Sequence, residues 1–194
     1  FAVEVRRQFE GFQPDCVAVE YPPTLGQAIL DGVRRLPLLS VVHYVESDGA
    51  FIYLLIEPTD GQVEAIRLAQ EHGLPVFFVD RDTEDYPLDR SPMPDPYAVA
   101  RIGHAAYCRA CLEAFRPGQR SEEDDLRERT TAYHLRRLSH EGHRVLFVGG
   151  LCHVPGILEF MEGRQTEVIG RHHRVGVSLA HLHEDSSREV MTEM

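Results

Sequence analysis

Val145-Leu-Phe-Val-Gly-Gly-Leu-Cys-His-Val-Pro-Gly156 is the stretch on which the reading of this chain turns. A short, wholly apolar run ends in two glycines, Gly149 and Gly150, and His153 follows three residues after the second. Apolar runs of this length bounded by glycine read as a buried parallel strand. In an open α/β sheet, ligands sit just beyond the carboxyl ends of such strands. His153 therefore stands where sites form. Two other apolar runs also end on polar residues. Cys16-Val-Ala-Val-Glu20 delivers Glu20, and Pro75-Val-Phe-Phe-Val-Asp80 delivers Asp80 with Arg81 beside it. Three strands presenting Glu, Asp and His at one sheet end would make a constellation.

The flanking segments supply the layers for such a sheet. Residues 1–12 read as a helix stopped by Gly11, followed by strand 16–20, a break at Pro22-Pro23 and a short helix over 25–35. Apolar, β-branched runs at 38–45 and 51–56 are joined by the turn Glu46-Ser-Asp-Gly49 and read as a hairpin, or as strands paired into the main sheet. Thr59-Asp60 can cap a helix to His72, with Gly73 at its end and strand 75–80 next. Residues 81–96, rich in Pro and Asp, read as an active-site loop or a cover over the sheet edge. Asp95-Pro96 opens a helix to Phe115, closed by Pro117-Gly118. Ser121-Glu-Glu-Asp124 resembles a capping box for a second long helix to Glu141. Strand 144–148, a helix to Met161 and a strand over 174–180 complete the chain. The expectation is a single α/β domain over 1–194, with a central, mostly parallel or mixed sheet flanked by helices. Phe1 opens the sequence in mid-helix pattern, so a longer protein is expected around it.

Composition narrows the partners. The 194 residues suffice for one domain with a substantial core. The net charge of −11 argues against nucleic acid, whose affinity comes from neutralised phosphates. No apolar run approaches the roughly 20 residues of a membrane helix, so no membrane partner is expected. All 20 basic residues are Arg, which rules out a lysine nucleophile within this chain. Four cysteines without scaffold spacing point to a reducing, cytoplasmic setting. There is no Walker or Rossmann glycine loop and no Gly-x-Ser-x-Gly elbow, so serine-esterase chemistry has no support.

Each candidate has a plain structural alternative. Glu20 can be a strand-end carboxylate accepting backbone N–H bonds, and Asp80-Arg81 an adjacent polar pair. Asp80 can also act as a base or bind metal, and Arg81 can hold an anionic group. His153 can cap the following helix, or act in a glycine-rich turn whose backbone approaches a ligand closely. Arg127 and Arg129 read as a solvated charged face. His104, Cys108 and Cys111 share one helix face, but the outer two lie about 10 Å apart along the axis, too far for one zinc ion. His172, His173, His181 and His183 sit in an irregular tail, and His43 reads as a core histidine.

These blocks resemble the Tiki/TraB superfamily, which takes in ChaN-like and erythromycin-esterase-like proteins. Asp15-Cys-Val-Ala-Val-Glu20 looks like that family's strand ending in Glu, and Phe78-Val-Asp-Arg81 like its strand ending in Asp-Arg. Arg127-Glu-Arg129 is similar to its Arg-plus-acid helix segment, and Gly150-Leu-Cys-His153 to the second of two Gly-x-x-His motifs. The first such motif would precede residue 1. The resemblance covers residues 15 to 160 and implies an α/β hydrolase that cleaves an amide or ester bond with a divalent metal (Mn, Co or Zn). Glu20 and His153 would hold the metal or activate water directly. Asp80 would complete the acidic side, and Arg81 or Arg129 would stabilise oxyanion charge. Gly149 and Gly150 would admit the ligand, a small molecule or peptide. The alternative is a non-catalytic module that binds a ligand such as haem, or serves within a larger assembly of domains or subunits.

Overall fold

The computed structural model describes residues 1–83, 94–114, 120–163, 174, 176–183 and 185. Three parallel strands form one sheet in the order β4-β1-β5: β1 is Cys16–Val19, β4 Val76–Phe78 and β5 Val145–Val148. The register pairs Val19 with Phe78 on one side and with Val148 on the other. Glu20, Asp80 and Gly149 thus leave the sheet together at its carboxyl end. All four β1 residues are buried, as expected of a central strand covered on both faces.

Period-two alternation divides the core. Val17 and Val19 join one apolar cluster with Phe9 of α1 (Ala2–Phe12) and Val63, Ile66 and Leu68 of α3 (Gly61–Glu71). Ala18 points the other way, into a cluster with Ala132, Leu135 and Leu138 of α6 (Glu122–His140) and Ile157 of α7 (Val154–Glu162). Glu20 has the parity of Ala18, which aims its side chain at α6. The two helix starts are built as their sequences indicate. Asp60 accepts from the Val63 N–H at 2.8 Å, and Ser121 and Asp124 exchange the reciprocal bonds of a capping box.

The apolar runs at 38–45 and 51–56 do pair as a hairpin, but outside the parallel sheet. β2 (Ser40–Val45) lies between β3 (Phe51–Ile56) and β6 (Ser178–His181) in a separate antiparallel sheet. The helix α2 (Gly26–Val33) joins the two sheets. Gly32 packs on Ile56 and Leu179, while a Cβ on Gly26 would lie 2.9 Å from the Phe78 ring. The first cluster runs on through Ile29, Val42, Tyr44 and Ile56, so both sheets share one core.

Two boundaries differ from the sequence expectation. The helix expected from Pro96 breaks at Gly103, whose φ of 79° is open to glycine at little cost, into α4 (Val99–Ile102) and α5 (His104–Ala114). The last expected strand starts later, at Ser178, and Arg174 instead makes a buried ion pair with Asp82 at 2.7 Å. Most of the Pro/Asp-rich loop, the stop at Pro117-Gly118 and the pair His172-His173 lie outside the described residues. No helix among the described residues is long and apolar enough to cross a membrane.

Candidate active site

Arg127, on α6, is the hub of the carboxyl end of the parallel sheet. Its guanidinium donates to Asp80 through Nη2 at 2.8 Å and through Nε at 3.2 Å. Nη2 also reaches Glu20 Oε1 at 3.4 Å, and Nη1 lies 3.3 Å from His153 Nε2. Glu20 Oε1 is 3.8 Å from the same His153 nitrogen. The structure thus brings Glu20, Asp80 and His153 within reach of one cation. The Asp80 side chain is 1% exposed and that of Glu20 is 7% exposed, so their charges depend on protein partners rather than water.

His153 is held from behind. Its Nδ1 lies 3.1 Å from Glu128 Oε1, and Glu128 in turn meets Arg120 at 2.5 Å. A carboxylate on one ring nitrogen fixes the tautomer and leaves the other nitrogen, Nε2, toward Glu20 and Arg127. Two glycines allow this packing. A Cβ on Gly156 would lie 1.9 Å from Glu128 Oε2, so the first turn of α7 can approach α6 only because that Cβ is missing. A Cβ on Gly149 would lie 2.7 Å from Glu20 Oε2, and the Gly150 N–H donates to that oxygen. The close approach that Gly149 and Gly150 permit is to the Glu20 carboxylate.

Burial raises the Glu20 carboxyl above the ordinary carboxylate range, and the Asp80 charge adds to this, while His153, the Gly150 N–H and Arg127 pull the other way. Burial also raises Asp80, against the pull of Arg127 and the Arg81 N–H. For His153, burial favours the neutral ring, but hydrogen bonds to Cys152 and Glu128 and the charge of Glu20 outweigh it and raise the group to about 10. Charge counting agrees with that direction. Three buried carboxylates (Glu20, Asp80 and Glu128) face two guanidiniums (Arg127 and Arg120), and Arg120 is shared with Asp125 and Glu159, so a protonated His153 offsets an excess of negative charge.

The arginines are placed differently from the sequence expectation. Arg129 is exposed, with its guanidinium 5.7 Å from the centre of the Phe160 ring. Positions 127 and 129 are 200° apart on a helix at 100° per residue, so only one can face the sheet, and Arg127 does. Arg81 lies beside the cluster: its backbone N–H donates to Asp80 at 2.8 Å, and its side chain pairs with Glu123 at 3.3 Å. The charged-face reading of α6 missed Arg127 and Glu128. A signal for them exists, since the buried stripe of Leu138, Leu135 and Thr131 extends toward the amino end onto Arg127 and Glu128 at helical spacing.

Glu20 and His153 are the pair expected from the sequence to hold a divalent ion. Their 3.8 Å separation could be bridged by two bonds of about 2.0–2.2 Å. The Arg127 guanidinium lies 3.4 and 3.3 Å from the same two donor atoms, so an ion there would share the pocket with that cation. His104, Cys108 and Cys111 all lie on α5. Cys108 Sγ is 3.5 Å from His104 Nε2, while Cys111 is buried a turn further on.

Gly156→Ala provides a direct check on this packing. The added methyl must displace Glu128 from His153, because Glu128 is itself buried. The expected result is a loss of about 1–3 kcal/mol, typical of overpacking, together with a fall in the His153 pKa measured by NMR titration. An unchanged pKa would show that Glu128 does not hold the ring. Comparison with family models, with curated proteins and with solved structures gives no match for this chain.

Proposed function

We propose that the protein is a hydrolase of an amide or ester bond, working from the cluster at the carboxyl end of the parallel sheet. The convergence of Glu20, Asp80 and His153 on Arg127 carries the reading. The roles follow from charge state. Glu20, raised by burial, is the stronger base for taking a proton from water. The resulting hydroxide attacks the carbonyl carbon, and the oxyanion that forms is stabilised by Arg127. His153, raised to about 10, holds a proton at neutral pH and gives it to the departing nitrogen or oxygen. Asp80 anchors Arg127, and Glu128 orients His153. This reading keeps the resemblance to Tiki/TraB hydrolases as to reaction class and departs from it over the metal, because Arg127 takes that place.

The test is turnover of a panel of p-nitrophenyl esters and peptide amides, with and without a chelator. Hydrolysis that survives the chelator and is lost in Glu20→Gln is the expected outcome. Activity abolished by the chelator and restored by Mn²⁺, Co²⁺ or Zn²⁺ would show that Arg127 yields its place to a metal. No turnover of any substrate would favour a binding module built on the same residues.

A further inference from the structure

The antiparallel sheet has an unusual edge. β3, Phe51-Ile-Tyr-Leu-Leu-Ile56, is an edge strand among the described residues, in the order β3-β2-β6. It carries no charge, no proline and no glycine, which are the usual guards against edge pairing. Its inward residues Ile52, Leu54 and Ile56 pack on the core. Its other face holds Phe51 and Tyr53, which are 60% and 71% exposed, and Leu55. Val41, His43 and Val45 of β2 continue that face, with the His43 and Phe51 rings stacked at 5.2 Å.

The hydrogen-bond parity of this edge is set by two bonds. The Glu46 N–H donates to the Ala50 carbonyl at 2.9 Å, which makes 46 and 50 a bonded pair. Alternation then bonds 44 with 52, 42 with 54 and 40 with 56. On the opposite side of β2, the Leu182 N–H donates to Leu39 at 3.1 Å, which agrees with that parity. The N–H and C=O groups of Phe51, Tyr53 and Leu55 therefore point to the open edge. The residues with the exposed apolar side chains are the same ones that offer backbone bonds.

We propose that β3 pairs antiparallel with β3 of a second copy, about a two-fold axis at Tyr53, to make a continuous six-stranded sheet. Antiparallel partners must share a face, so residue numbers in each pair sum to an even value. The sum 106 sets Tyr53 against Tyr53 and Phe51 against Leu55, which gives every edge-facing group of these three residues a partner. In the same register Glu57 falls opposite Gly49, and Asp48 opposite Pro58. Over residues 48–58 of this register, a chain with a net charge of −11 thus sets no acid directly opposite an acid. The two exposed rings offer roughly 250 Å² of apolar surface per copy. This is well below the approximately 800 Å² per partner of a standard interface and fits a weak pair rather than an obligate one. Pairing is closed, because each copy uses its β3 edge once.

The experiment is light scattering after gel filtration of the protein as it stands, at roughly 10–100 µM, the range of a weak pair. A concentration-dependent dimer is expected. Tyr53→Lys sets two like charges across the axis and should weaken the pair roughly 100-fold or more, with an unchanged far-UV spectrum, because the side chain is solvent-facing. Tyr53→Cys should cross-link under mild oxidation faster than wild type, since opposed bonded residues lie about 5.5 Å apart, within disulfide reach. Phe51→Cys should not, because its symmetry mate is offset by four residues, about 14 Å. A monomer at every concentration, a dimer indifferent to Tyr53→Lys, equal cross-linking at 51 and 53, or a ladder of larger species would each overturn the proposal.

Discussion

Replacing Arg127 with Met is expected to cost about 3–5 kcal/mol of folding stability, the usual penalty for removing one partner of a buried ion cluster. The methionine fills much the same space, so the loss is not a cavity effect. It arises because Asp80, 1% exposed in its side chain, loses both guanidinium donors, and Glu20 loses its nearby cation. Both carboxylates would then be buried beside each other with less compensation. Urea unfolding gives the direct measurement, read as a shift in midpoint at constant slope. Adding Asp80→Asn to Arg127→Met should recover much of the loss, since the orphaned charge is then removed, and a double-mutant cycle isolates that coupling. A single-mutant loss below about 1 kcal/mol would place the pair with solvated surface bridges and would mean that water reaches the cluster.

The strands were legible because burial on both faces leaves one sequence pattern, an apolar run cut by glycine or proline. Glu20 and Asp80 were legible for the same reason, as polar residues at the first position beyond such runs, and His153 as the polar residue of the glycine-rich turn that follows the third. The helix contribution was harder to see. Arg127, Glu128 and Arg129 are three charges in a row, and their composition favours solvent for all three. The helical spacing from Leu138, Leu135 and Thr131 marks the first two as a continuation of the buried stripe, and the position of the sheet bears this out while the third turns outward. The role of Gly149 and Gly150 was half legible, and that of Gly156 was not. Close approach at the first two was expected, but the groups the glycines admit are Glu20 and Glu128 from distant parts of the chain, and such partners carry no local signal. The separate antiparallel sheet was open in the sequence, since a hairpin and pairing into the main sheet use the same apolar alternation.

His153→Ala is expected to lower turnover by 10²-fold or more while the protein still folds. Loss of a positioned proton donor alone accounts for that magnitude. The backbone demands of the turn fall on the glycines beside it, so the chain can still make the strand-to-helix bend. The pH dependence separates this role from a merely structural one. With His153 raised from its ordinary 6.5 to about 10 in the folded protein, the sign is definite. The protonated ring stabilises the fold fully below about pH 6.5, and that contribution is lost as pH rises toward 10. The stability difference between wild type and His153→Gln should therefore be largest near pH 6, at most roughly 5 kcal/mol, and should shrink steadily up to pH 10. Turnover should follow its own two limbs. Activity should rise with pH as Glu20 ionises, at a pH above the ordinary carboxylate range, and fall again as His153 deprotonates. Glu20→Gln should remove the first limb and His153→Ala the second. A variant at 153 that keeps wild-type turnover and its alkaline limb would take His153 out of the chemistry. A stability difference that is flat from pH 6 to 10 would show instead that the ring is neutral throughout, with Nε2 accepting from Arg127, and would move the proton donor's role to another group of the cluster.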